Sequence, residues 1–300
     1  TLSHSMGLYD VSEEHTVWGV MARDLVRETE AQNNAPRGAA SGAALPRRTI
    51  PASITDLGLQ ELRVGDFIQP TNWPTIDIIP SCANAAFVEF ASAQYRHLNP
   101  EWSFFAAVNR FLDQLPEDQW DLILFDCPPA IGYQSMNAVF AADMLYVPSG
   151  PGYWEYDSTT SFIGQLSEAL GDLAHGFEGT LSADKVVLPK VFRDVRFLLT
   201  RYEPGNDLHR AMFEAFGKVF GDKLAEHPVE MTRAVEQSGR FLSSIYEMDY
   251  RDMTRETWRR ARGSFDQAYG EFKATMIPHW RDMAAETLSA DKVDGLEADT

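Results

Sequence analysis

Residues 121–129 read Asp-Leu-Ile-Leu-Phe-Asp-Cys-Pro-Pro. Four apolar residues run into the carboxylate of Asp126, and two prolines follow at once. A short apolar run closed by breakers predicts a strand buried on both faces, as in the middle of a parallel sheet. Asp126 then falls at the strand's carboxyl end, where open α/β sheets form their ligand crevice. An acid at that point in nucleotide-hydrolysing enzymes orients Mg²⁺, usually through water.

The flanking sequence supports the same fold class. Met144-Leu145-Tyr146-Val147-Pro148 and Val195-Arg196-Phe197-Leu198-Leu199-Thr200 predict further strands, and Thr75 to Ile79 predicts one ended by Pro80. Helices are predicted over 14–27, 101–115, 134–142, 158–173, 206–220 and 253–276 from apolar residues recurring every three to four positions. Strands alternating with helices give an α/β fold, a doubly wound and mostly parallel sheet flanked by helices. One domain is expected over 1–283. Within it, Glu28 to Arg48, rich in Ala, Gly, Asn and Pro, is expected to be a flexible loop. From residue 284 the chain carries five acids and one lysine, and a disordered acidic tail is expected over 284–300.

The net charge of −18 excludes diffuse affinity for nucleic acid, because a polyanion needs a positive field. Any DNA contact must come from a local basic patch. Two cysteines, Cys82 and Cys127, cannot build a disulfide framework or a four-ligand zinc site alone. No apolar run is long enough to span a bilayer. The expected location is cytoplasmic, with no membrane partner. The seven histidines show no H-x-x-x-H or H-E-x-x-H spacing.

Several separated segments agree, in order and spacing, with one family. They are Ile78-Ile79-Pro80-Ser81, Leu122 to Pro129, Met144 to Pro148, Phe197 to Pro204, Phe220 to Lys223, Val229 to Glu236, Ser244 to Glu247 and Trp258 to Phe272. Together they resemble the ParA-type partition ATPases of the ParA/MinD superfamily of deviant P-loop ATPases, closest to the RepA branch of plasmid replication-partition cassettes. The resemblance covers about residues 1–276. It implies a P-loop NTPase-like sheet, ATP and Mg²⁺ as cofactors, and a homodimer closed by ATP. It also implies nonspecific DNA, nucleoid association and a centromere-binding partner of the ParB/RepB type. Asp126 would be the catalytic, Mg²⁺-orienting residue. Thr200, Arg201 and the segment around Pro228 would lie near the adenine.

One element of that family is missing from the sequence. No G-x-x-x-x-G-K-[ST] phosphate loop occurs, and Gly217-Lys218 lies inside a helical pattern. Thr1-Leu2-Ser3 resembles the segment just downstream of the family's second acidic motif. The expectation is a chain that begins after its phosphate loop, lacks the first strand of the sheet and does not hydrolyse ATP by itself.

Arg251, Arg255, Arg259 and Arg262 recur at i, i+4, i+8 and i+11 and form one predicted stripe on the last helix. Beside it runs an apolar face of Trp258, Ala261, Phe265, Tyr269, Phe272 and Met276 that should dock on the domain. As the family binds DNA nonspecifically through C-terminal basic residues, the stripe is the expected phosphate contact. An alternative is a DNA-binding autoregulator of the same family without ATP turnover. A membrane-site selector of the MinD type is disfavoured, because the chain ends in acids rather than a basic amphipathic helix.

Overall fold

The computed structural model describes residues 6, 8, 11–34, 54, 58–59, 61–82, 89–90, 92–93, 104–116, 119–128, 130–176, 190–249, 251 and 253–297. Where the sequence predicts one domain, contacts divide the chain into two compact units. The first comprises Thr1–Ala142 with Phe162–Val191, the second Asp143–Ser161 with Phe192–Thr300.

The first unit is built around helix α1, Val17–Asn34. Val20, Met21, Leu25 and Val26 are buried along one side. Val20 meets Phe67 and Phe111, whose rings cross edge to face at 5.6 Å. The helix runs on through Glu28–Asn34, the start of the expected loop, because Glu28, Glu30, Ala31 and Gln32 are good helix formers and Thr29 is buried. Residues 35–48 lie outside the described residues. Strands β1 (Gln69–Pro70) and β2 (Asp77–Ile78) form a two-residue antiparallel ladder. This is shorter than the predicted strand at 75–79, since Pro70 and Pro80 remove ladder donors, and its sense is antiparallel.

Helix α2, Ala107–Leu112, follows a 3₁₀ turn at Phe104–Ala106 and stands where a longer helix was predicted. Arg110 clamps Asp24 of α1 with two bonds of 2.8 and 2.7 Å. Helix α3, Tyr133–Ala141, carries the fully buried Asn137, which accepts from the Val108 N–H at 3.2 Å and donates to the Tyr133 carbonyl at 2.9 Å.

The predicted strand at 121–126 is not formed. Residues 122–128 are irregular and pair with no strand among the described residues. Leu122, Ile123 and Leu124 are 36%, 45% and 75% exposed. A strand exists only through a ladder neighbour, and apolar pattern alone does not supply one.

The second unit holds the parallel sheet. Strand β3, Met144–Ser149, pairs with β4, Asp194–Leu199, in parallel, from Met144 opposite Asp194 to Ser149 opposite Leu199. Helix α4, Tyr153–Gly176, starts five residues before its predicted beginning, and its residues up to Ser161 belong to this unit. Helix α5, Asp207–Phe220, packs Met212 and Phe216 inward, and Phe220 stacks on Phe197 of β4 at 3.7 Å. Asn206 caps its first turn by accepting from the Leu208 N–H at 3.0 Å. Helix α6 spans Arg233–Arg240, and α7 spans Arg255–Glu297 with Pro278 inside it.

Helix α7 buries Ala261, Ser264, Ala268 and Met276. Tyr269, expected on the packed face, is 58% exposed, because the small residues Ala261, Ser264 and Ala268 bring a neighbouring line of the helix inward. The segment 284–297 is helical, which corrects the expected disorder. Ala284, Ala285, Glu286, Leu288, Ala290 and Lys292 are strong helix formers.

Candidate nucleotide loops and the arginine helix

The carboxyl end of β4 is where the sequence places Thr200 and Arg201. The Thr200 N–H donates to the Ser149 carbonyl at 2.8 Å, extending the ladder by one residue. Arg201 turns the chain with φ 57°, a left-handed conformation that disfavours side chains. Its guanidinium, 65% exposed, reaches Glu155 of α4 at 3.3 Å. It also passes close to Gly150, where a Cβ would lie 2.6 Å from Arg201 Nη2 and would push the guanidinium aside. Ser149 and Thr159 share a hydroxyl bond of 2.8 Å beneath this turn.

The second predicted segment, around Pro228, lies directly alongside. The Ala225 N–H donates to the Phe197 carbonyl and the Val229 N–H to the Leu199 carbonyl, both at 2.8 Å. The Tyr202 N–H then donates to the Val229 carbonyl at 3.0 Å, and the Met231 N–H to the Tyr202 carbonyl at 2.9 Å. Thr200, Arg201 and Pro228 are thus brought together at one strand end. From the other side Glu271 of α7 accepts from the Glu226 and His227 N–H groups at 2.8 and 3.2 Å. An exposed guanidinium beside a backbone edge can stack on and hydrogen-bond a planar base.

Asp126 belongs to the first unit, and its carboxylate is exposed on the irregular segment, bonded to none of the described residues. Just downstream, Glu89 caps α3 by accepting from the Tyr133 and Gln134 N–H groups at 2.8 and 2.9 Å. A Cβ at Gly132 would lie 2.7 Å from the Glu89 carboxylate and would disturb this cap. Mg²⁺ keeps several waters and is usually held through one or two carboxylates plus phosphates, so a single free carboxylate fits that role. No cluster of three or more His, Cys, Asp or Glu suited to a metal exists among the described residues.

The four arginines are not equivalent. Helix α7 begins at Arg255, so Arg251 precedes it, and the Arg251 N–H donates to Asp249 at 3.0 Å. Arg262 lies over the rings of Tyr246 and Trp258, each 5.1 Å away. Tyr246 in turn donates to Asp266 at 2.9 Å; partial burial and that bond raise its phenol above the ordinary range. Arg260, off the stripe, pairs with Glu230 at 2.9 Å. Arg255 and Arg259 are exposed and unpaired among the described residues. Sequence reading missed Glu89, Glu155 and Glu271, and nothing local marks them out among 44 acids.

The AAA domain family matches residues 21–173, half of the chain, and the chain belongs to that family. It is 26% identical over 235 residues to a putative replication protein A of Sinorhizobium fredii, covering 74% of this chain and 52% of that protein. It is 26% identical over 289 residues to protein SopA of Escherichia coli, covering 93% of this chain and 70% of SopA. It is 24% identical over 268 residues to chromosome partitioning protein ParA of Caulobacter vibrioides, covering 88% of this chain and 86% of that protein. The chain spans about half the length of the replication proteins it matches. The solved structure of apo McdA from Cyanthece superposes with a TM-score of 0.54 at 12% identity, over 88% of this chain and 82% of that one. That likeness concerns the fold, and it agrees with the α/β class expected from sequence. No helix among the described residues is long and apolar enough to cross a membrane.

Proposed function

We propose that the chain forms the body of a partition ATPase of the ParA type. Thr200, Arg201 and the segment at Pro228 hold the adenine of ATP, and Asp126 orients a hydrated Mg²⁺. When bound, Mg²⁺ neutralises charge on the phosphates. ATP closes a homodimer, and Arg255 and Arg259, flanked by Arg251 and Arg262, hold DNA phosphates without reading bases. A centromere-binding partner of the ParB/RepB type stimulates hydrolysis and releases the dimer. The protein works in the cytoplasm, on the nucleoid. The observation that carries this reading is the pairing of the two base-side segments at the carboxyl end of β4.

The 300 residues contain no lysine-bearing phosphate loop, so hydrolysis by them alone is not expected. The test therefore uses the gene product read with its flanking coding sequence. It should hydrolyse ATP with Mg²⁺, faster with DNA and partner present. Asp126→Asn should lower that rate by at least about 100-fold with the melting curve unchanged. Replacing Arg255 and Arg259 together by Ala should weaken unrelated duplexes alike and flatten the salt slope by roughly one unit per lost phosphate contact. Near-normal turnover in Asp126→Asn would reduce that residue to a turn former. An unchanged salt slope would make the arginines a solvated face. A second reading is a DNA-binding autoregulator of the same family without ATP turnover. DNA binding with no hydrolysis by the same gene product would select it.

A further inference from the structure

We propose that Glu271 is a positioning residue joining the nucleotide loop to the arginine helix, so that filling the one changes the DNA affinity of the other. This rests on the functional reading above. The Glu271 carboxylate accepts from the Glu226 N–H at 2.8 Å with one oxygen. Its other oxygen accepts from the His227 N–H at 3.2 Å and faces His227 Nδ1 at 3.3 Å. Bonds to an ionised acceptor are about twice as strong as neutral ones, and a fork onto adjacent N–H groups fixes direction as well as distance.

The held pair stands immediately before Pro228 and Val229, and Val229 is bonded to β4 on its other side. The segment is therefore gripped between the sheet and α7. The next residue of α7, Phe272, meets Tyr146 of β3 edge to face at 5.3 Å. Burial, with Glu271 nearby, pushes the Tyr146 phenol up, and Arg196 partly opposes this. The Glu271 side chain is half-buried, 24% exposed, with both carboxylate oxygens turned to the 226–227 backbone.

Arg259 lies twelve residues before Glu271 on the same helix, roughly 18 Å along its axis at about 1.5 Å per residue. The helix is continuous from Arg259 to Glu271, through Gly263-Ser264 and Gly270, and Pro278 comes after both. A base seated against residues 226–229 presses on the segment that Glu271 grips, and a continuous helix passes that displacement to the arginines instead of absorbing it. Coupling of this kind is typically five- to 150-fold, and it is reciprocal.

The experiment measures affinity for a random-sequence duplex, with and without ATP and Mg²⁺, using the gene product read with its flanking coding sequence. Wild type, Glu271→Gln and Glu271→Ala are compared. Glutamine keeps the size and one acceptor, but turns an amide N–H₂ toward a second N–H. ATP should raise wild-type DNA affinity by about tenfold or more, and by no more than about twofold in either variant. Nucleotide-free DNA affinity should stay the same in all three. The rise in ATP affinity on adding DNA should shrink by the same factor. Full enhancement in both variants overturns the inference, as does a wild type that binds both ligands independently. Equal loss of DNA affinity with and without ATP also overturns it, because that marks a merely structural role. If alanine unfolds the protein, the glutamine variant carries the test. A wild type that binds neither ATP nor DNA defeats the functional reading instead.

Discussion

Leu122-Ile123-Leu124-Phe125 and Phe197-Leu198-Leu199 carry nearly the same apolar pattern, and each runs into a polar residue. Yet Leu124 is 75% exposed, whereas Leu199 is completely buried. Asp126, after the first run, bonds to none of the described residues, while Thr200, after the second, bonds to the neighbouring strand at 2.8 Å. The second run has β3 on one side and the 224–231 segment on the other. The first has no ladder partner among the described residues. Pattern proposes a strand, and a neighbour disposes of its exposed edges.

The comparison can be broken by mutation. Leu199→Ala should cost about 2–5 kcal/mol, since it opens a cavity in a paired, fully buried site. Denaturant unfolding measures it, and a loss near zero would show that the sheet core is loosely filled. A smaller effect is expected at the other end of β4. Asp194 is buried, and burial alone would raise its carboxyl. Hydrogen bonds from Lys223 and Arg196, both 2.7 Å, outweigh burial and hold it below the usual range. Its stabilisation is therefore complete above the ordinary carboxyl value of about 3.9 and fades as pH falls through the lowered folded value.

Asp194→Asn should accordingly cost about 1–3 kcal/mol near neutrality, with the gap from wild type closing below about pH 4. Melting temperature followed from pH 7 to pH 3 reads this directly; a gap that widens in acid would reverse the assigned sign. The smallest effect belongs to the unpaired run. Leu124→Ser should change stability by no more than about 0.5 kcal/mol. A loss above about 2 kcal/mol would mean that Leu124 is packed in solution and that the two runs are alike after all.

What could be read from sequence divides along the same line. Strands β3 and β4 and helices α3 and α5 fall within a residue or so of their predicted bounds, because their signals are local: period, cap and breaker. The pairing of Leu199 and Tyr202 with Val229 was not legible in the residues; the family resemblance implied only that the two segments lie near the adenine. The fate of 121–126 depends on long-range neighbours, which periodicity cannot report. Arg262 looked equal to Arg259 on a helical wheel. It differs because Tyr246, from before the helix, folds back over it. Glu89, Glu155 and Glu271 act on backbone or charges 44 to 46 residues away, and no spacing rule reaches that far.

Arg201 gives this structure an unusual experimental handle. A non-glycine residue held at φ 57° costs of order 1 kcal/mol, and glycine would relieve it. A library of this gene selected only for heat tolerance should drift toward Arg201→Gly. If Arg201 holds the base as proposed, a library selected for plasmid retention should keep arginine. The residue found at position 201 after laboratory evolution would therefore record which pressure the population had met.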